Sequence, residues 1–234
     1  MKKTANFMRL AGLAAVAALA VSYNASANTL TMDLDTKFSG TTDGSPAPWL
    51  RAVFTDVTPG VVNLNLTAMS TLSADAHVYN SSSQAWYFNV SSSTLLNAMT
   101  FTEIGRMGSF DFNKGSDIVK GWGNLHADND GYYDWALKFY DSQKSDEFNG
   151  GESLTLQISA PGLSASSFNV LAGTGLGSEE NGLFYSAARI QGCDWYAGAN
   201  DTTTTTVPDG GSTVTLFGLA LLGVSGLYRK LGRV

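Results

Sequence analysis

The residues best equipped for chemistry lie in one short run, His126-Ala127-Asp128-Asn129-Asp130-Gly131-Tyr132-Tyr133-Asp134. Alternate carboxylates ahead of a glycine can wrap oxygens around Ca²⁺, which takes about six to eight hard ligands. Asp128, Asp130 and Asp134 are therefore candidate metal ligands. The run is not an EF-hand. Aligning Gly131 with that loop's invariant glycine puts His126 at the first ligand position and Leu137 at the last. The plainer reading is a hairpin turn, because Asp and Asn tolerate the left-handed conformation and glycine adopts it freely. A third reading makes the carboxylates the acid and base of a glycosidase, which requires them to face each other across a cleft.

Aromatic side chains carry the one hint of binding. Trp122 sits between Gly121 and Gly123 and reads as a loop residue, while Trp195 and Tyr196 follow Gly192-Cys193-Asp194. Exposed rings stack on sugar rings, so these three are candidate glycan-binding residues. The competing reading is packed or capping aromatics. Trp49, Trp86 and Trp135 lie in or beside alternating segments and are expected in the core. Other chemistry is sparse. His77 and His126 are the only histidines, and no HExxH or His/Cys ligand spacing occurs. No GxSxG elbow is present. Gly173-Thr174-Gly175-Leu176-Gly177 lacks dinucleotide-loop spacing and reads as a flexible loop. Cys193 is the single cysteine, which excludes an intramolecular disulfide and leaves burial or pairing between molecules. The expectation is a body that is not an enzyme and has no resident cofactor, with Ca²⁺ the one candidate.

These residues must be positioned by strands. Val62, Leu64, Leu66 and Ala68 alternate with polar residues, as do Leu154, Leu156 and Ile158 and Trp135, Leu137 and Phe139. Further strands are predicted at Leu30–Leu34, Leu50–Phe54, Trp86–Val90, Met99–Glu103, Phe168–Leu171 and Phe184–Ile190. Turn-rich stretches such as Thr58-Pro59-Gly60, Asn149-Gly150-Gly151 and Pro161-Gly162 separate them. About nine short punctuated strands predict an all-β, antiparallel β-sandwich, jelly-roll-like, over residues 28–199. Residues 200–206, NDTTTTT, read by composition as a Thr-rich spacer.

The two ends say where the chain goes. Lys2, Lys3 and Arg9 precede an apolar run from Leu10 to Val21. Ala25 and Ala27 then supply the small residues at −3 and −1 of a signal-peptidase site, so residues 1–27 read as a signal peptide and the mature chain is expected to begin at Asn28. Residues 207–234 hold Val207-Pro208-Asp209-Gly210-Gly211, an apolar stretch from Val214 to Tyr228, and the basic stop Arg229, Lys230 and Arg233. As a helix the stretch would rise about 22 Å, short of the roughly 30 Å hydrocarbon core, with snorkelling of the basic residues to make up the difference. A single transmembrane sorting helix is expected, its basic end in the cytoplasm. An ordinary tail anchor would account for the apolar stretch but not the motif.

Motif, span and basic stop together resemble the C-terminal sorting domain of the PEP-CTERM/exosortase system, most closely its VPDSG-CTERM-type variant, with Gly210 where that variant's name has Ser. The resemblance implies export, brief residence in the inner membrane, recognition by an exosortase, cleavage near the motif and delivery to the cell surface or extracellular matrix. Bacteria with this system typically make exopolysaccharide, which makes exopolysaccharide a candidate partner and a structural or adhesive biofilm role the leading expectation. A carbohydrate-binding module, calcium-assisted, is the alternative, and a secreted polysaccharide hydrolase a weaker one. In the body, Asp128–Asp134, Gly151-Glu152, Leu163–Phe168 and Phe184–Gly192 resemble a recurring β-rich ectodomain found with such tails. That likeness implies the fold and supplies no activity.

Charge excludes one class of partner. The chain has 14 basic and 20 acidic residues; without Lys2, Lys3, Arg9, Arg229, Lys230, Arg233 and Asp209, about 8 against 19 remain, near −11. Such a body repels phosphate backbones, so nucleic acid is not an expected partner.

Overall fold

The computed structural model describes residues 27–42, 44–78, 86–128, 131–139, 147–174, 183–192 and 195–207. Period-two sequence becomes period-two burial. In β4 (Val61–Ala68) and β11 (Ser153–Ser159), Val62, Leu64, Leu66, Leu154, Leu156 and Ile158 are buried while their neighbours are only partly covered. Successive side chains point to opposite faces of a strand, so one face of each sheet is apolar and must be covered.

One sheet has the order β14 (Thr203–Val207), β1 (Ala27–Leu34), β3 (Leu50–Thr58), β4, β11 and β7 (Thr100–Met107). The other runs β10 (Phe148–Asn149), β5 (His77–Val78), β12 (Ser186–Gln191), β6 (Trp86–Phe88), β9 (Tyr132–Leu137) and β8 (Ile118–His126). In that second sheet β13 (Trp195–Ala199) pairs with β12, and β2 (Thr36–Ser39) with β13. Pairing is antiparallel, for example Phe54↔Leu64 and Leu64↔Leu156 in the first sheet and Phe88↔Trp135 in the second. The fold is all-β and sandwich-like. Its one α-helix among the described residues, α1 (Ser93–Ala98), is capped by Ser92, whose hydroxyl accepts from the Leu95 amide at 3.2 Å.

Aromatic rings join the two apolar faces. Phe54 of the first sheet stacks on Phe168 at 4.2 Å and meets Phe88 of the second edge-on at 5.8 Å, and Phe88 stacks on Trp135 at 4.7 Å. Trp49, Trp86 and Trp135 are buried as expected. The outer face of the second sheet carries a smaller cluster in which Phe38 stacks on Phe184 at 4.8 Å above Tyr87, Tyr133 and Ala187.

Several expectations need correction or fall elsewhere. The strand predicted at Phe168–Leu171 is replaced by a 3₁₀ turn, Ala165–Phe168, because Ser167 accepts from the Ser164 amide at 3.2 Å and closes the chain locally. The tract expected as a spacer joins the sheet, Thr203–Val207 forming β14 beside β1. The predicted signal peptide, apart from Ala27, and the predicted sorting helix lie outside the described residues. Among the described residues no helix is long and apolar enough to cross a membrane.

Candidate functional site

The hairpin of β8 and β9 displays Trp122. The strands pair from Ile118↔Leu137 to Lys120↔Trp135, slip, and resume at Leu125↔Tyr133. Residues 121 to 124 therefore face a single residue, Asp134, and must bulge. Gly123, with φ +63°, supplies the left-handed turn, and its amide donates to Asp134 Oδ1 at 2.9 Å. Asp134 Oδ2 accepts from the Val90 amide at 2.9 Å. Only 7% of Asp134 is exposed, and burial pushes its carboxyl above the usual range, against the pull of the two amides. Asp134 is thus a strut between α1's approach and the bulge, and Trp122 stands 45% exposed on that bulge. It belongs to a strand, not to the loop its flanking glycines suggested.

The three candidate glycan-binding aromatics do not meet. Trp195 is fully buried, edge-on to Trp49 at 4.4 Å, because alternation in β13 turns it into the core; it is no surface platform. Tyr196, next along the strand, points to the opposite face and lies 5.7 Å from Phe38, with the Arg189 guanidinium 5.8 Å above its ring. Strands β12, β6 and β9 separate β13 from β8.

The carboxylate run is also dispersed. Its described residues lead from the end of β8 and into β9, with Asp128 at φ +46° and Gly131 at φ +85°, and Asp128 accepts a hydrogen bond from the Ser39 hydroxyl. Asp130 lies outside the described residues. Asp134 spends both oxygens on backbone amides inside the fold. Among the described residues no group of three or more His, Cys, Asp or Glu side chains is placed to hold a metal ion. His77 instead pairs with Glu147 at 3.4 Å. A shallow groove of about 690 Å³ lies among the turns at Pro59-Gly60 and Pro161 to Leu163 and the start of β7 at Thr100, and no ionisable side chain lines it.

What sequence reasoning missed is a face. The polar partners of the alternation assemble, across the outer side of the first sheet, into rows such as Thr29↔Thr55↔Asn63↔Gln157↔Thr102. A second row runs Thr31↔Val53↔Asn65↔Thr155↔Gly105. Hydroxyls and amides cross-link it, Asn65 donating to Thr155 Oγ1 at 2.9 Å. A bidentate pair of Arg51 with Asp33, at 2.6 and 2.9 Å, adds one mutually compensated charge pair in the next row. The residues were visible in the sequence; the strand order that gathers them was not.

At the first sheet's other edge, β14 carries only threonine up to its last residue, and Thr203 to Thr206 are all exposed. The Thr206 hydroxyl donates to Asn28 Oδ1 at 3.2 Å, which sets the end of β14 beside the start of β1. Ala27 and Asn28, the residues either side of the expected signal cleavage, open β1. Val207, the first motif residue, closes β14, while Ala25, Pro208, Asp209, Gly210, Gly211, Arg229, Lys230 and Arg233 lie outside the described residues.

Comparison with known proteins identifies the segment beyond β14. Residues 206–231 match the family model described as the VPDSG-CTERM motif. This is a sorting tail of the PEP-CTERM type. A VPDSG-CTERM tail implies processing by an exosortase and agrees with export and surface localisation. No curated protein and no solved structure matches the chain.

Proposed function

We propose that the protein is an exported, exosortase-sorted component of the cell surface or extracellular matrix, whose β-sandwich has a structural or adhesive role alongside exopolysaccharide. The observation that carries this reading is the VPDSG-CTERM match directly after a folded body. Signal peptidase removes residues 1–27, the tail holds the chain in the inner membrane, and exosortase then cuts near Val207 to Gly211. The outer face of the first sheet, mostly hydroxyls and amides with the one compensated pair Arg51–Asp33, supports a role beside sugar polymers, because hydroxyls and amides exchange hydrogen bonds with sugar hydroxyls without desolvating a charge. The test is the mass of protein recovered from producing cells. It should lack residues beyond the motif, and replacing Pro208 and Asp209 should hold the full chain in the membrane. An intact mass that includes Tyr228 to Val234 refutes the sorting reading.

A second reading, a carbohydrate-binding module, is favoured by one observation, the exposed Trp122 on a bulge fixed by Asp134. Retention of the purified protein on the producer's own exopolysaccharide, lost in Trp122→Ala, is the expected result. Loss on chelation would add Ca²⁺. No retention under either condition leaves a passive structural role. The body is proposed to act without catalysis in both readings.

A further inference from the structure

The edges of the sandwich are not treated alike. On β7 the pairing shifts between Thr155 and Leu156, and Glu103 and Arg106 sit opposite the core residues Leu156 and Leu154. On β8 the bulge follows Lys120, which lies opposite Trp135 and sends its ammonium to the Met99 carbonyl at 2.7 Å. Bulges and inward-facing charges are the devices by which natural edge strands refuse a new partner. β14 carries no charged residue, its threonines are all exposed, and none of them adds apolar burial. Beyond main-chain pairing with β1, its side-chain tie among the described residues is the Thr206–Asn28 bond, with Thr202 bonded to Asn169 at 3.0 Å just ahead of it. Segments with few buried contacts open at the lowest free-energy cost.

The matched sorting segment starts at Thr206, so its first two residues lie within this strand. Proteolysis acts on chain segments that have transiently opened, and β14 in place offers an enclosing cleft only its outer edge, the other being bonded to β1. We propose that β14 is a releasable strand. The sorting enzyme engages the motif only when Thr203–Val207 has left β1, and this opening sets the rate at which the tail is lost. The inference rests on the sorting reading above, and it adds a gating step, release of β14 from β1, before the motif enters the substrate cleft of the exosortase.

Pulse-chase of the full chain in producing cells tests it. Inserting eight Gly and Ser residues between Thr206 and Val207 frees the motif while leaving Thr203 to Thr206 and the Thr206–Asn28 bond in place. Tail loss should then accelerate about tenfold or more, the inverse of an open fraction of about 10% or less. Neighbouring residues of a strand direct their amides to opposite sides, so only one of Thr204→Pro and Thr205→Pro removes an amide facing β1. That variant alone should also accelerate loss. An unchanged rate in the insertion variant, with Pro208→Ala plus Asp209→Ala still blocking cleavage, overturns the inference and keeps the sorting reading. Cleavage that continues despite the motif substitutions overturns the sorting reading itself.

Discussion

Asp134 offers the sharpest test of how the Trp122 bulge is held. Its two oxygens accept the Val90 and Gly123 amides at 2.9 Å each, in a site 7% exposed. Asp134→Ala leaves both amides without that acceptor; the Val90 amide is buried, and leaving it unsatisfied costs about 1–3 kcal/mol, whereas Gly123 is exposed and its amide can turn to water. Relief of a buried charge offsets part of this, so a net loss of about 1–2 kcal/mol is expected. With a urea slope of about 2 kcal/mol/M, the unfolding midpoint should fall by about 0.5–1 M. Asp134→Asn keeps one acceptor, sets an amide donor against the other N–H, and should lie between wild type and Asp134→Ala. Hydrogen exchange localises the effect: the Gly123 and Val90 amides should lose protection before the core strands do. The pH dependence has a definite sign. Burial raises the folded pKa of this carboxyl above its ordinary value of 3.8. The folded state therefore binds the proton more tightly, a contribution fully present below about 3.8 and lost as pH rises through the folded value. The gap between wild type and Asp134→Asn should narrow over that interval. An unchanged midpoint in Asp134→Ala, with Gly123 still protected, refutes the strut.

Two further predictions separate core from surface and locate acid sensitivity. Trp195→Ala should cost about 3–5 kcal/mol by urea unfolding, as for a large buried aromatic, whereas Trp122→Ala should leave the midpoint within about 0.5 kcal/mol. Glu103 binds Arg106 through two bonds of 2.6 and 2.7 Å, which hold its carboxyl below the usual range, so its stabilisation is present above about pH 4.5 and lost as pH falls through the lowered value. Glu103→Gln should accordingly flatten the acid limb of a stability-versus-pH curve, and an unchanged limb would show that the pair contributes nothing.

The sequence revealed most where one face of a strand is buried. Leu64, Leu66, Leu154 and Leu156 alternate because each faces the opposite sheet, and their strands were legible for that reason. β8 was not, because an edge strand with exposed residues and a bulge at Gly121 to Asn124 has no alternation to read. β14 failed similarly: with every threonine exposed, composition alone reads as spacer, although threonine's branched side chain favours extended backbone. Trp195 was misplaced for another cause. Its strand, Trp-Tyr-Ala-Gly-Ala, packs small residues on both faces, so apolar alternation is blurred and one large ring looks like an outlier. For the carboxylate run, spacing was legible and direction was not. Asp134 lies within β9, and its neighbours β8 and the Val90 segment turn both of its oxygens to structural use.

The same geometry constrains the chemistry of any partner under the proposed function. The body has about eight basic residues, and four of them are committed to the fold's own surface. Arg51 is paired with Asp33, Arg106 with Glu103, Lys120 caps the Met99 carbonyl, and Arg189 covers Tyr196. The inward turn of Lys120 costs it hydration and lowers its pKa, the exchange by which β8 gains a guarded edge. The body as a whole is acidic, near −11, while the rows of the first sheet's outer face are mainly hydroxyls and amides. A neutral sugar chain can approach that face without electrostatic penalty. An acidic one meets repulsion that bridging divalent cations or screening salt reduces, so chelation should release the acidic polymer and added salt ease its approach, while neither acts on the neutral one.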